Sequence, residues 1–194
     1  MITIKNDDAL TSVKNYLKEK NMPIISIEVD GKVKTPEIDP SCWISDSAWI
    51  IGDVTMGSEN VVYQGVIIRG DFAKIKIGAK NVFQDGCVVN TAEGCGTRIG
   101  DNNLIGFNAI VHGATVKNNA VVGIQSVLMI KTVLEDDALL GATSFVGMGK
   151  KIPSGKKWIG RELKGDNNQG KLWEMGRLSW RKMGLAMREQ KEKP

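Results

Sequence analysis

Residues 116–152 read VKNNAVVGIQSVLMIKTVLEDDALLGATSFVGMGKKI, and an aliphatic residue returns at every sixth position: Val116, Val122, Leu128, Leu134, Leu140, Val146 and Ile152. Four places after the first five of these stand the smaller Ala120, Ser126, Thr132, Ala138 and Ser144. A period of six fits neither the strand period of two nor the helical 3.6. One short strand plus a turn per hexad accounts for it. Three hexads close a triangular coil, with the aliphatic side chain inside and the small one at the corner.

The register extends upstream through Ile44, Ile50, Met56, Val62 and Ile68, with Ala48, Val54, Asn60 and Val66 in the smaller slot. It resumes at Ile77, Phe83 and Val89, then at Ile99, Ile105 and Val111, before one five-residue step to Val116. About six coils at the spacing of paired strands would form a prism on the order of 29 Å tall. The interruptions Asp71 to Lys76 and Asn90 to Arg98 are expected as loops leaving a corner, where sites on a rigid scaffold usually sit. The expected fold class is mainly β, a parallel β-helix of hexapeptide repeats over residues 41–155.

Residues 1–40 do not repeat. Asp7-Asp8 cap a helix with Leu10, Val13, Tyr16 and Leu17 at helical spacing, ending near Lys20. The segments Ile24–Val29 and Lys32–Lys34 flank Asp30-Gly31, a hairpin signal. Helix and hairpin together would cap one end of the solenoid. Residues 156–194 turn helical: Trp173, Gly176, Trp180, Met183 and Met187 form one stripe, with Arg177, Arg181 and Lys182 beside it. That stripe is expected to pack the C-terminal α-helix on a flank of the prism.

The 194 residues are 42% hydrophobic and 25% charged, enough for one well-buried domain with a small appendage. No run approaches a membrane span and no signal peptide is legible, so a cytoplasmic protein is expected. Cys42, Cys87 and Cys95 are an odd number without a C-x-x-C pair, which fits reduced thiols. Cys87 falls in a small slot and reads as core, whereas Cys95 lies in the second interruption. Glu135, Asp136 and Asp137 read as turn residues on an exposed corner. The net charge of +4 conceals an asymmetry: residues 1–149 hold 13 Lys/Arg against 17 Asp/Glu, and residues 150–194 hold 13 against 5. No aromatic-interleaved basic stripe accompanies the tail, so a basic helix docked on an acidic body is preferred to nucleic-acid binding.

Three elements are more specific than the hexads. Gly65-Val-Ile-Ile-Arg-Gly-Asp71, Phe83-Gln-Asp-Gly-Cys-Val-Val-Asn90 and Ile105-Gly-Phe-Asn-Ala-Ile-Val-His-Gly113, in this order, resemble the gamma-class carbonic anhydrase family over about residues 40–160. The resemblance implies a left-handed β-helix, an exception to right-handed crossovers. It also implies a homotrimer with sites between subunits. The family's three zinc-binding histidines align with Asn90, Phe107 and His112, and His112 is the only histidine in the chain. Asparagine offers at best a weak carbonyl ligand and phenylalanine none, so zinc is not expected. Without zinc, no hydroxide is generated at neutral pH. Arg69 and Asp71 match the family's Arg-Gly-Asp element, and the resemblance pairs Arg69 with Asp85 across the trimer interface. Gln84 matches a glutamine that positions solvent, and Glu93 sits where some members carry an acidic proton shuttle. Val82 replaces an asparagine found in many members.

Three functions follow. The first is a zinc-free homotrimer, a pseudoenzyme with respect to CO2 hydration, whose cleft of Gln84, Asn90, Phe107 and His112 binds a small molecule or is structural. In it Phe107 would fill the void left by an imidazole. The second is an acyltransferase or thioesterase in which His112 is the general base and a coenzyme A thioester the substrate, its phosphates meeting the basic tail. The third is an interaction subunit of a larger assembly.

Overall fold

Each hexad folds as a short strand and a turn, and rungs from successive coils pair in parallel. The computed structural model describes residues 24–29 and 31–191, so the expected Asp7–Lys20 helix lies outside the described residues. The first face carries the leading halves of Trp49–Met56 and Ile67–Ile77, then Val88–Asn90, Ile110–His112, Val127–Leu128 and Phe145–Val146. The second carries the trailing halves of those two long strands, then Thr97–Ile99, Thr115–Val116, Val133–Leu134 and Lys151–Ile152. The third is an eight-stranded sheet from Trp43–Ile44 to Lys156–Ile159, closed by the antiparallel Glu162–Asp166. This parallel solenoid matches a left-handed β-helix of hexapeptide repeats.

The six-residue register describes the interior. Ile50, Ile68, Phe83, Val89, Ile105, Val111, Leu128, Leu140 and Ile152 are buried in one continuous core, with Ala48, Cys87, Ala109, Ala120 and Ala138 filling the corners. The residue before many of these small side chains turns left-handed, as at Asn102, Asn108, Asn119 and Asp137. Asn and Asp tolerate that conformation better than other side chains, which explains why they recur there. At one corner the small slot is polar. Asn60, Asn81 and Asn103 are fully buried. They form a ladder: Asn81 Nδ2 donates to Asn60 Oδ1 at 2.9 Å, and Asn103 Nδ2 to Asn81 Oδ1 at 3.0 Å.

The first expected loop is not one. Asp71–Lys76 lies inside the unbroken strand Ile67–Ile77, which turns the corner beside Trp49–Met56 with a register shift between Gly52 and Val54. Ile75 and Ile77 alternate inward with Lys74 and Lys76 outward, a strand pattern that the six-residue register passes over. The corner is passable because Gly52 and Gly70 stack there; a Cβ on either would collide with the backbone of the neighbouring coil. The second interruption is a small hairpin, with Ala92 bridged to Cys95 and Glu93-Gly94 at its tip. The N-terminal hairpin pairs Ile27–Val29 with Lys32–Lys34, but Ile24–Ile25 leaves it and pairs in parallel with Ile50–Ile51.

Helix α1, Gly170–Lys191, covers the lower part of the third face. Trp173, Trp180, Leu185 and Met187 pack on Trp43, Val61, Tyr63 and Val82. The seam is rotated by one residue from the expected stripe: Arg177 and Gly184 are buried while Met183 is exposed. Gly184 sets the rotation, because a Cβ there would run into the Val61 side chain. Arg177 is buried with its Nη1 donating to the Asn119 carbonyl at 3.2 Å, an anchor between helix and prism. Both tryptophans are thereby occupied within the chain. Among the described residues, no helix is long and apolar enough to cross a membrane.

The outward positions separate the three faces. The third points Trp43, Val61, Val82 and Leu104 outward, and these lie in the cluster packed by α1. The second presents Thr55, Lys76, Arg98, Thr115, Val133 and Lys151 in register. The first presents Trp49, Ile67, Val88, Ile110, Val127 and Phe145. Trp49 is 45% and Ile110 37% exposed, and among the described residues no helix covers that column.

Candidate functional site

Two residues along the first face from its apolar column runs a polar one. Register stacks Arg69, Asn90 and His112 on three successive coils. His112 Nδ1 lies 2.8 Å from Asn90 Oδ1. A carbonyl oxygen only accepts, so Nδ1 carries a proton, and in the neutral imidazole Nε2 then keeps its lone pair. The imidazole is thus held in one tautomer by a neutral partner, half-buried on the prism face. Below it, Arg69 Nη1 bonds Asp71 in the same chain, and Asp71 Oδ1 also accepts the Phe72 amide at 3.0 Å. Asn90 and His112 are 22 residues apart, one coil. The coil length was the available signal for this pair, which residue types alone do not reveal.

The remaining site residues stand elsewhere in the chain. Gln84 and Asp85 form the corner between the third and first faces, Gln84 buried and Asp85 half-buried. Phe107 stands one coil above Asp85, its carbonyl receiving the Gln125 amide and Asn108 bonding back to Asp85. Its ring meets Trp180 of α1 edge-on, centroids 5.6 Å apart. Phe107 therefore does not fill a void beside His112 within one chain, because its ring is drawn to the aromatic cluster of the third face. Glu93 is exposed at the hairpin tip. Cys95 packs beside Gly113 and lines a concavity of the second face.

Tyr63 links this corner to the helix. Its hydroxyl donates to the Trp180 carbonyl at 2.7 Å, and its ring meets Trp43 and Trp180 edge-on. Burial, with the nearby Asp85 charge, pushes its phenol up to about 12. The unfolded chain releases this proton near pH 10 while the folded one holds it. The stabilisation is thus fully present below pH 10 and is lost as pH rises from there to about 12. Urea midpoints measured at pH 8, 10 and 12 are expected to fall more steeply above 10 in the wild type than in Tyr63→Phe. Equal slopes would refute the assignment.

The three aligned positions do not fit zinc. The Asn90 carbonyl is engaged by the imidazole, Phe107 has no donor atom, and His112 Nε2 alone remains. Zinc sites draw on at least three imidazole, thiolate or carboxylate donors. Among the described residues, no group of three or more His, Cys, Asp or Glu could hold a metal.

No family model matches the chain. It is 35% identical over 137 residues to gamma carbonic anhydrase 2, mitochondrial, of Arabidopsis thaliana, covering 68% of this chain and 49% of that protein. The chain spans about half the length of the curated relatives it matches. A solved hexapeptide transferase family protein from Anaplasma phagocytophilum is 32% identical, over 84% of this chain and 98% of that one, with a TM-score of 0.74. A second solved structure, from Bacillus cereus, reaches a TM-score of 0.79 at 28% identity over 81% of this chain and 94% of that one. With its hexad coils and this coverage, the chain belongs to the hexapeptide transferase family, and in sequence it is similar to the gamma carbonic anhydrases over about two thirds of its length.

Proposed function

We propose that this chain forms a homotrimer without zinc-hydroxide chemistry, whose subunit-interface cleft beside His112 receives a small polar ligand. One observation carries the reading: the bond from His112 Nδ1 to Asn90 Oδ1, which occupies two of the three aligned positions with each other. A small ligand with a hydrogen-bond donor would meet Nε2, the lone pair left facing outward. The uncovered apolar column of the first face supports trimer formation, with Arg69, Asp71 and Asp85 fixing register at its margin and Phe107 and Gln84 approaching from a second copy's corner. The free thiols of Cys42, Cys87 and Cys95 favour a reducing compartment such as the cytoplasm. Stopped-flow CO2 hydration with added zinc is expected at the uncatalysed rate, and a zinc-dependent acceleration would overturn the reading.

The available Nε2 also favours a second reading, in keeping with the hexapeptide transferase family relative. His112 would remove a proton from an acceptor as it attacks a coenzyme A thioester, the carbon–sulfur bond breaking and the thiolate leaving. Acetyl-CoA turnover that His112→Ala abolishes would establish that chemistry. Turnover unchanged in His112→Ala, or none in the parent protein, would remove it.

A further inference from the structure

On the second face, three cations stand without partners. Lys76 and Arg98 lie directly opposite each other on adjacent parallel strands, and Lys131 stands at the corner two coils beyond Arg98, its amide bonded to the Gly113 carbonyl and its side chain lining the same concavity. Among the described residues, no side-chain hydrogen bond or ion pair engages any of the three. Their neighbours differ. Lys74 pairs with Asp53 at 3.2 Å, and Lys117 and Lys151 pair with Glu135 at 2.6 and 2.9 Å. Like charges directly opposite on a sheet are destabilising, and the outlying acids are already spent on other lysines. At this corner the stacked equivalents of Lys131 are Gly113 and Gly149, so Lys131 alone adds a side chain.

The cations line one concavity. It measures about 420 Å³ and is bounded by Lys74, Lys76, Arg98, Lys131, Cys95 and Thr115. A second of about 640 Å³ shares Lys76, Arg98 and Thr115 and continues past Lys117 towards Glu37. The first has the size of a small-ligand site, and a concave wall of one sign concentrates counter-ions. Three cations exceed what one carboxylate neutralises. A guanidinium fork matches two oxygens of a phosphoryl group, while the lysines act as point charges on its remaining oxygens. Lys76 and Arg98 stand on neighbouring rungs and Lys131 at the corner two coils beyond Arg98, a footprint that long side chains can close on a diphosphate group and that is short for a nucleic-acid backbone. We infer that the second face carries a binding site for a phosphoryl-bearing small molecule, held by Arg98, Lys76 and Lys131 with the Thr115 hydroxyl beside them. The site is distinct from the cleft at His112, which lies on the first face.

Cys95 supplies the reporter. Cys87 is fully buried and Cys42 donates to the Gly57 carbonyl, and burial pushes both thiols up, away from the reactive thiolate. Alkylation by neutral iodoacetamide, localised by peptide mass, therefore reads the wall of the concavity. Pyrophosphate and ADP are expected to slow Cys95 labelling saturably. Lys76→Gln/Arg98→Gln should weaken that protection about tenfold or more, as loss of charge-assisted bonds does. Lys131→Gln should weaken it less, and Lys164→Gln on the distant Glu162–Asp166 strand not at all. Absence of protection, equal protection by sodium chloride at matched ionic strength, or unchanged protection in the double variant would each overturn the site. So would binding of a single-stranded oligonucleotide without binding of pyrophosphate.

Discussion

Replacing Asn81 with leucine is expected to lower the melting temperature by about 10 °C, following a loss of about 3 kcal/mol at a few degrees per kcal/mol for a chain of this size. Asn81 is the middle rung of a buried ladder. Its Nδ2 donates to Asn60 Oδ1 and to the Gly100 carbonyl, and its Oδ1 accepts the backbone amide of Asn103 at 2.9 Å and the Asn103 side chain. Leucine has a similar volume, so packing is nearly conserved. What changes is that the Asn103 amide, in a residue with no exposure, loses its acceptor. Each buried polar group left unpaired costs about 1–3 kcal/mol, and a ladder in which every bond polarises the next loses more than one such group. A melting temperature unchanged by calorimetry would show that the ladder is dispensable.

If the chain assembles as the trimer proposed above, replacing Ile110 with glutamate is expected to convert it into monomers of 21.2 kDa by light scattering. Ile110 sits at the centre of the apolar column, between Val88 and Val127. On a free prism the substitution is mild, because the side chain is already 37% exposed. In a trimer it buries three carboxylates without partners, each costing several kcal/mol. The contrast separates assembly from folding: circular dichroism should be unchanged while the mass falls threefold. A parent chain that is already monomeric, or a variant that stays assembled, would contradict the interface reading.

How much was legible depends on which side of the strand a residue faces. The interior column, Ile44 through Ile152, is readable because each coil demands an aliphatic residue at one angle and a small one at the next. Outward positions obey no such rule. Val61, Ile110 and Arg98 occupy equivalent outward slots on three faces, and their environments differ because α1 covers the third face, no helix among the described residues covers the first, and charge crowds the second. The corner strand Ile67–Ile77 escaped the hexad register because turning a corner without a turn requires the stacked pair Gly52 and Gly70, a long-range coincidence. The one-residue rotation of α1 escaped for a similar reason. Gly184 looks neutral in sequence and decides the docking only against Val61. At the candidate site the sequence named His112, Asn90 and Phe107. Their separation was not legible, since Phe107 turns away to Trp180 while Asn90 bonds His112.

Zinc content measured by elemental analysis, after the purified protein is equilibrated with excess zinc and freed of loosely bound ions, tests the central claim most directly. A zinc content far below one ion per interface is expected, because His112 Nε2 is one donor where a tetrahedral site draws on at least three. One tightly held zinc per interface, lost on His112→Ala, would contradict it.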